Sequence, residues 1–327
     1  MSYLILAWVA IIAFIFLMYV ILDGFTLGTG IVFPFVSARD KDLLISMILP
    51  TWDGNQTWLV FGGASLYGAF PLAFSTILPI FYLPILILVI SLLFRGVSFE
   101  FRLKSEKGKR FWDALFVLGS ISATFIQGVM LGAFIQGFSL NSTENYHWLT
   151  AFTVITGISL VFGYALLGAT RLIVKTSDQL KLKMIKIAKI ASIGVAVGFL
   201  IVTIWTPYVN SVIAIRWATP LEAFYLSALP TLTIISYAIL WGALAKQHDW
   251  LPYWMSIAIF MTGYLGFALS LWPYIVPNSI TVIQAAAPES SLKFLLVGAS
   301  IMIPILLLYT GYAYKIFKGK VTDVIYY

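Results

Sequence analysis

The chain has 327 residues, 61% of them hydrophobic and 10% charged, with a mean hydropathy of +0.97. Soluble domains carry about 25% charged residues, so a soluble fold would lack the polar surface it needs. The apolar residues run in long continuous blocks, not in the alternating segments of roughly ten that build a membrane barrel, and the absence of cysteine excludes disulfides, thiolate metal sites and cysteine nucleophiles.

The pattern is that of an all-α polytopic membrane protein, a single integral domain over residues 1–327 with approximate halves 1–140 and 141–327. A span needs about 20 mostly apolar residues. Nine stretches qualify: Tyr3–Val36, Pro50–Phe70, Ala73–Phe94, Asp113–Gly137, Trp148–Leu172, Ile187–Trp205, Glu222–Ala245, Tyr253–Val276 and Leu292–Phe317. The first lacks the basic region and cleavage site of a signal peptide, so it is expected to be retained. As one helix it would measure about 50 Å against a hydrocarbon slab of about 30 Å, so it must tilt, kink or protrude. In the fourth, Gly128 and Gly132 make a small-xxx-small pair suited to close helix contact.

The basic residues set the orientation. With nine spans, all of the 20 Lys and Arg except Arg216 and Lys293 fall on the side that holds the C-terminus. The positive-inside rule makes that side cytoplasmic and leaves the N-terminus outside. The net charge of +7 is then a topology signal, and no nucleic-acid partner is expected.

Of the 13 acids, Asp40, Asp42, Glu106, Asp178, Asp249 and Asp323 fall in cytoplasmic loops or the tail, and Glu144 and Glu289 outside. Asp23, Asp53, Glu100, Asp113 and Glu222 lie within spans or at their ends, with Arg95 as a cationic companion. A charge at membrane depth costs from about 3 to over 10 kcal/mol, so such groups face protein or water and pair. Asp53, Gln56 and Thr57 share a helical face by i, i+3, i+4 spacing. Spans one and two run antiparallel, which lets Asp23 and Asp53 approach one another. Each acid also has a structural alternative: Asp53 as a helix N-cap, Asp23 as half of a buried ion pair. Arg95 shares a face with Ser98 and Phe99, and either reaches a carboxylate or propionate on another element or anchors to headgroups. Arg102 reads as such an anchor, and Asp113 and Glu222 as cap or dipole residues. The only histidines, His147 and His248, fall in loops, so the spans offer no axial His or Cys to a haem. There is no Walker A sequence.

Several strings come in a fixed order: LDGFTLGTG (Leu22–Gly30), WDGNQTWLVFGG (Trp52–Gly63), AFPLAFSTILPIFYLP (Ala69–Pro84), FRGVSFEFR (Phe94–Arg102), WDALFVLGS (Trp112–Ser120), GYALLGATRL (Gly163–Leu172), WPYIVPNSITVIQAAAP (Trp272–Pro288) and PILLLYTGYAYKIFKGKV (Pro304–Val321). Together they resemble subunit II of the cytochrome bd-type quinol oxidases, the cyanide-insensitive branch included. The resemblance runs end to end and is weakest from Leu200 to Phe260.

The resemblance implies nine transmembrane helices, arranged as two four-helix bundles plus one peripheral helix, and a partner of related fold, subunit I. It implies that two b-type haems, one d-type haem and the quinol site belong to that partner. The complex would oxidise ubiquinol or menaquinol, reduce dioxygen to water and take protons from the cytoplasm, in a bacterial or archaeal cytoplasmic membrane. It leaves room for a bound quinone or lipid and for a small single-span accessory subunit. On this resemblance Asp53 matches an aspartate on a cytoplasmic proton path, with Trp52 and Asn55 as its neighbours. Arg95 matches an arginine that supports haem retention, and Glu100 lies in the same string. Asp23 matches the first acid of an aspartate-glycine-phenylalanine-aspartate string, and Thr26 stands where the second acid is often found. The competing readings are a proton-coupled secondary transporter that uses Asp23, Asp53 and Arg95 as a coupling site, and a purely structural assembly subunit.

Overall fold

The computed structural model describes residues 3–105, 107–137 and 148–321. Glu106, Glu144, His147 and Asp323, expected in loops and the tail, lie outside the described residues. Helix α1 (Tyr3–Val32) ends in a 3₁₀ turn, Phe33–Phe35, and α2 (Ala38–Ile48) follows. Then come α3 (Trp52–Ala69), α4 (Pro71–Ile80), α5 (Tyr82–Lys104), α6 (Lys109–Gln136), α7 (Ala151–Lys175), α8 (Asp178–Val209), α9 (Ser211–Ala218), α10 (Pro220–Ala245) and α11 (Leu251–Leu271). A small hairpin, β1 (Tyr274–Val276) and β2 (Ile280–Thr281), leads through α12 (Val282–Ala285) to α13 (Glu289–Ile316).

Among the described residues, eight helices are long and apolar enough to cross a membrane: α1, α5, α6, α7, α8, α10, α11 and α13. The stretch expected as the second span is α3, whose 18 residues carry the polar string Asp53–Thr57 and fall outside that group. The expected third span, Ala73–Phe94, is not one helix. Pro71 opens α4, the backbone turns at Phe81, and α5 restarts with Pro84 in its first turn. Proline has no N–H to give and clashes with the preceding turn, so it fits a helix start and interrupts a helix interior. The restart shifts the helix along the chain and places Arg95 well inside α5. Two other boundaries also move. Helix α8 begins at Asp178, so Lys181, Lys183, Lys186 and Lys189 ride on helix and not in a loop. Helix α11 stops at Leu271, and Tyr274–Val276 pairs as a strand.

Helix α1 is continuous, and every residue from Leu22 to Val32 is buried. It packs against α3, α6 and α7. Without a hydrophobic drive between helices in lipid, association depends on close packing over small residues. At the α1–α7 crossing Gly28 faces Gly168. A Cβ on Gly28 would lie 1.8 Å from the Tyr164 carbonyl oxygen, and one on Gly168 would lie 2.4 Å from the Gly28 carbonyl carbon. The Gly128/Gly132 pair of α6 does the same against α7, with a Cβ at 2.6 Å from Gly157 Cα and at 2.8 Å from Thr153 Cα respectively.

Backbone contact of this kind has no room for a side chain. Gly168→Val is expected to separate α1 from α7 and to abolish folded protein in solubilised membranes, read by size-exclusion profile. Gly242, in α10, stands in open space, and a Cβ added there would meet nothing within 4 Å. Gly242→Ala is expected to leave the profile unchanged and to raise thermal stability slightly, since alanine is favoured in helices by about 1 kcal/mol.

Candidate functional site

The α1–α5 contact is an ion pair. Arg95 Nη1 donates to Asp23 Oδ1 at 2.7 Å, and both side chains are 0% exposed. Helix α6 presses on this contact through Gly119, where a Cβ would lie 2.7 Å from the Ser91 carbonyl and 2.9 Å from the Arg95 amide nitrogen. Among the described residues, Asp23 Oδ2 and Arg95 Nε and Nη2 are buried without a hydrogen-bond partner, as is Ser120 Oγ beside Gly30. Structural pairing, one of the two readings of Asp23, is therefore present. Arg95 reaches a carboxylate of another element and is not a headgroup anchor.

A polar shell surrounds the pair. Asn55 Nδ2 donates to the Leu22 carbonyl at 3.0 Å and to Thr26 Oγ1 at 3.1 Å, and its Oδ1 accepts from the Tyr314 hydroxyl at 3.4 Å. Asn55 thereby ties α1, α3 and α13 together one helical position from Asp23. Trp52 closes the α3–α5 contact: its ring lies against Gly96 and meets Phe99 edge-on at 5.0 Å. Farther along α1, Tyr164 donates to Gln127 Oε1 at 2.9 Å, and Gln127 Nε2 donates to the Tyr19 hydroxyl at 3.0 Å. Gln127 is legible in the sequence as an amide in the middle of an apolar span, whereas Tyr314 is hidden among the chain's 17 tyrosines.

Asp53 and Glu100 are not part of this cluster. Asp53 is exposed on α3, in a stripe with Thr57, Val60, Ala64 and Tyr67, while Asn55, Trp58, Gly62, Ser65 and Ala69 form the buried face. The expected approach of Asp53 to Asp23 is thus not seen, because packing of the Asn55–Trp58–Gly62 face onto α1 turns Asp53 outward. Nor is Asp53 the N-cap. Thr51 holds that position, and Asp53 sits in the first turn, where a negative charge favours the helix dipole. Glu100 is exposed on the far side of α5 from Arg95.

Arg102 is a second correction. It is buried, not an anchor, and pairs with both Asp42 and Asp113. Lys41 reaches Asp113 at 3.1 Å, Lys109 reaches Asp42 at 3.4 Å, and Lys41 and Arg102 both lie over the Phe33 ring. Asp113 is therefore a network member, since α6 starts earlier, at Lys109, after Gly108. Burial pushes the Asp42 carboxyl up, but its hydrogen bond and charge contact with Arg102, then Lys109, outweigh this and hold it below the usual carboxylate range. Glu222 lies in the first turn of α10 and pairs with Arg216 at 2.7 Å. His248 stands exposed in the turn after α10. No group of three or more His, Cys, Asp or Glu side chains that would hold a metal occurs among the described residues.

Fold and site together define a multi-pass helical membrane protein organised around a buried carboxylate–guanidinium pair. The profile of the cytochrome bd terminal oxidase subunit II family matches residues 4–317, and the chain belongs to that family. It is 25% identical to cytochrome bd-I ubiquinol oxidase subunit 2 of Escherichia coli K12, covering 96% of this chain and 94% of that one. It is also 25% identical to cytochrome bd ubiquinol oxidase subunit 2 of Bacillus subtilis 168, covering 96% of each. A chain of the bd oxidase structure from Geobacillus thermodenitrificans shares the fold, with a TM-score of 0.83 at 14% identity over 97% of this chain and 99% of that chain. The protein is thus a subunit of a cytochrome bd-type oxidase, an oxidoreductase complex of the bacterial cytoplasmic membrane, and a subunit II implies a subunit I as partner.

Two outcomes test this geometry. Asp23→Asn leaves Arg95 charged and unpaired in a buried site and is expected to cost about 3–5 kcal/mol. The double variant Asp23→Leu/Arg95→Met is expected to lose less than either single change, and additive losses in thermal denaturation would contradict the pairing. For Asp42, whose folded value is depressed, the stabilisation is complete above the ordinary carboxylate value and is lost as pH falls through the folded one. The hydrogen-exchange protection of α2, taken relative to the intrinsic rate at each pH, is therefore expected to fall on acidification below the usual carboxylate range, and Asp42→Asn to remove that dependence.

Proposed function

We propose that this chain is the haem-free subunit of a quinol:dioxygen oxidoreductase, that it supports haem retention in subunit I, and that it passes cytoplasmic protons towards that subunit. The reading takes the chain as one integral membrane unit that crosses nine times, α3 being the ninth crossing, with the N-terminus outside and the C-terminus cytoplasmic. It places α1 to α13 in two four-helix bundles plus a peripheral helix. Two b-type haems and one d-type haem belong to the partner. A small accessory subunit, a bound quinone or a lipid is compatible with it, and ubiquinol and menaquinol both fit as reductant.

The observation that carries the reading is Asp53. Its carboxylate stands on an outward stripe that otherwise holds Thr57, Val60, Ala64 and Tyr67. A carboxylate facing hydrocarbon is costly, so this face suits contact with a second subunit, across which a carboxylate can accept and release a proton. Asn55, two residues on, anchors the same turn to Thr26 and Leu22. Arg95 is wholly enclosed, so its support of haem retention acts by holding α5 to α1. Haem ligation itself fits this chain poorly: the described spans carry no His or Cys, and His248 is exposed in a turn. What Arg95 and Asp53 supply is a fixed scaffold, a proton-holding group and, by Trp52 and Asn55, its orientation.

The purified two-subunit oxidase with Asp53→Asn is expected to keep its haem content and to lose oxygen uptake by about 100-fold or more, the scale on which a proton-transfer group contributes. Arg95→Leu is expected to lower haem content, measured by the reduced-minus-oxidised spectrum. Normal haem content and normal oxygen uptake in both variants would rule out these roles.

A further inference from the structure

The string Gly163–Leu172 carries a cation on α7 that neither the ion-pair cluster nor the proton role uses. Arg171 is only 6% exposed. Four rings enclose its guanidinium carbon: Tyr253 at 5.0 Å, Tyr314 at 5.2 Å, Phe25 at 5.8 Å and Trp250 at 6.0 Å. Arg95, Arg102 and Arg216 each have a carboxylate. Among the described residues Arg171 has none, and its buried Nε has no hydrogen-bond partner. One turn further on, the buried Lys175 donates to the Phe317 and Gly319 carbonyls. Those acceptors take two of its three hydrogens and leave its charge.

Two cations of like sign therefore stand one helical turn apart at the end of α7, both buried, with no anion from the described residues. The rings attract a guanidinium through their faces but accept none of its in-plane N–H donors, of which there are five in a rigid fork. An oxyanion supplies what is missing: negative charge, and several acceptor oxygens that match the fork edge-on. A phosphate, with more oxygens and more charge than a carboxylate, suits a fork with a second cation beside it. Trp250, 48% exposed, forms the outer wall, and Lys181 and Lys320 bridge to Asp249 beside it. We infer that Arg171, with Lys175, binds a phosphate group at the end of the bundle where α7 and α13 terminate, carried either by a phospholipid headgroup or by free phosphate. The site is independent of the proton role given to Asp53.

The test uses the purified two-subunit oxidase as wild type, Arg171→Leu and Arg171→Lys, each washed extensively in detergent. Native mass spectrometry with a phosphorus assay is expected to find one more phospholipid per complex in wild type than in Arg171→Leu, with Arg171→Lys keeping part of the difference. In a second arm inorganic phosphate is titrated against chloride at equal ionic strength. A thermal shift in wild type that Arg171→Leu lacks, at equal lipid content, assigns the site to free phosphate. Equal phospholipid content together with no phosphate-specific shift overturns the site. Should Arg171→Leu fail to assemble, Lys175→Gln replaces it, and a wild-type complex with neither retained phospholipid nor a phosphate response overturns the site by itself.

Discussion

The Asp23–Arg95 pair sets the arrangement of everything around it. Two charges at membrane depth are tolerable only together, and removing one is far more damaging than never having had either. Their 2.7 Å contact therefore fixes how α1 and α5 are rotated towards one another. Once that is set, the glycine faces of α1 are committed as well: Gly28 must meet Gly168 on α7, and Gly30 must meet Ser120 on α6. Asn55 then attaches α3 to the same turn of α1 through the Leu22 carbonyl and Thr26. The first half of the molecule is in this sense built outward from one salt bridge.

The ends of the helices follow a related rule. A helix terminus leaves backbone carbonyls that need donors, and in this protein long cationic side chains supply them. Lys175 takes the carbonyls of Phe317 and Gly319 after α13. Arg216 takes those of Leu269, Ser270 and Trp272 at the end of α11 while pairing with Glu222. At the end of α5, Arg102 instead binds Asp42 and Asp113, which straps the surface helix α2 across the mouth of α5 and α6. Many of the chain's few charges thus serve to hold helices in place.

Against that background the acids separate by what surrounds them. Asp23, Asp42 and Asp113 are occupied by cations of the same chain. Asp53 faces outward on a helix that is otherwise apolar or hydroxyl-bearing on that side. A group turned away from its own bundle is available to a second subunit, which is why the proton role is proposed for Asp53 and a scaffold role for Asp23 and Arg95.

Much of this is readable from residue types. Hydrocarbon blocks of spanning length announce a helical membrane protein because the bilayer demands about 20 apolar residues per crossing, and the cost of a charge at depth singles out Asp23, Asp53 and Arg95. Asn55 and Trp52 stand out by the strings they belong to. The partners and the faces are not readable. A helix has about 3.6 residues per turn and no preferred rotation of its own, so whether Asp53 or Asn55 turns inward depends on which face finds complementary packing on α1. The restart at Pro84, which carries Arg95 into the interior of α5, and the meeting of Arg102 with Asp42 across 60 residues depend likewise on contacts distant in sequence. Arg171 shows the limit most clearly. In the sequence it is one more positive charge at the end of a span, and only the convergence of α1, α7, α11 and α13 encloses it in aromatic rings, with no carboxylate among the described residues.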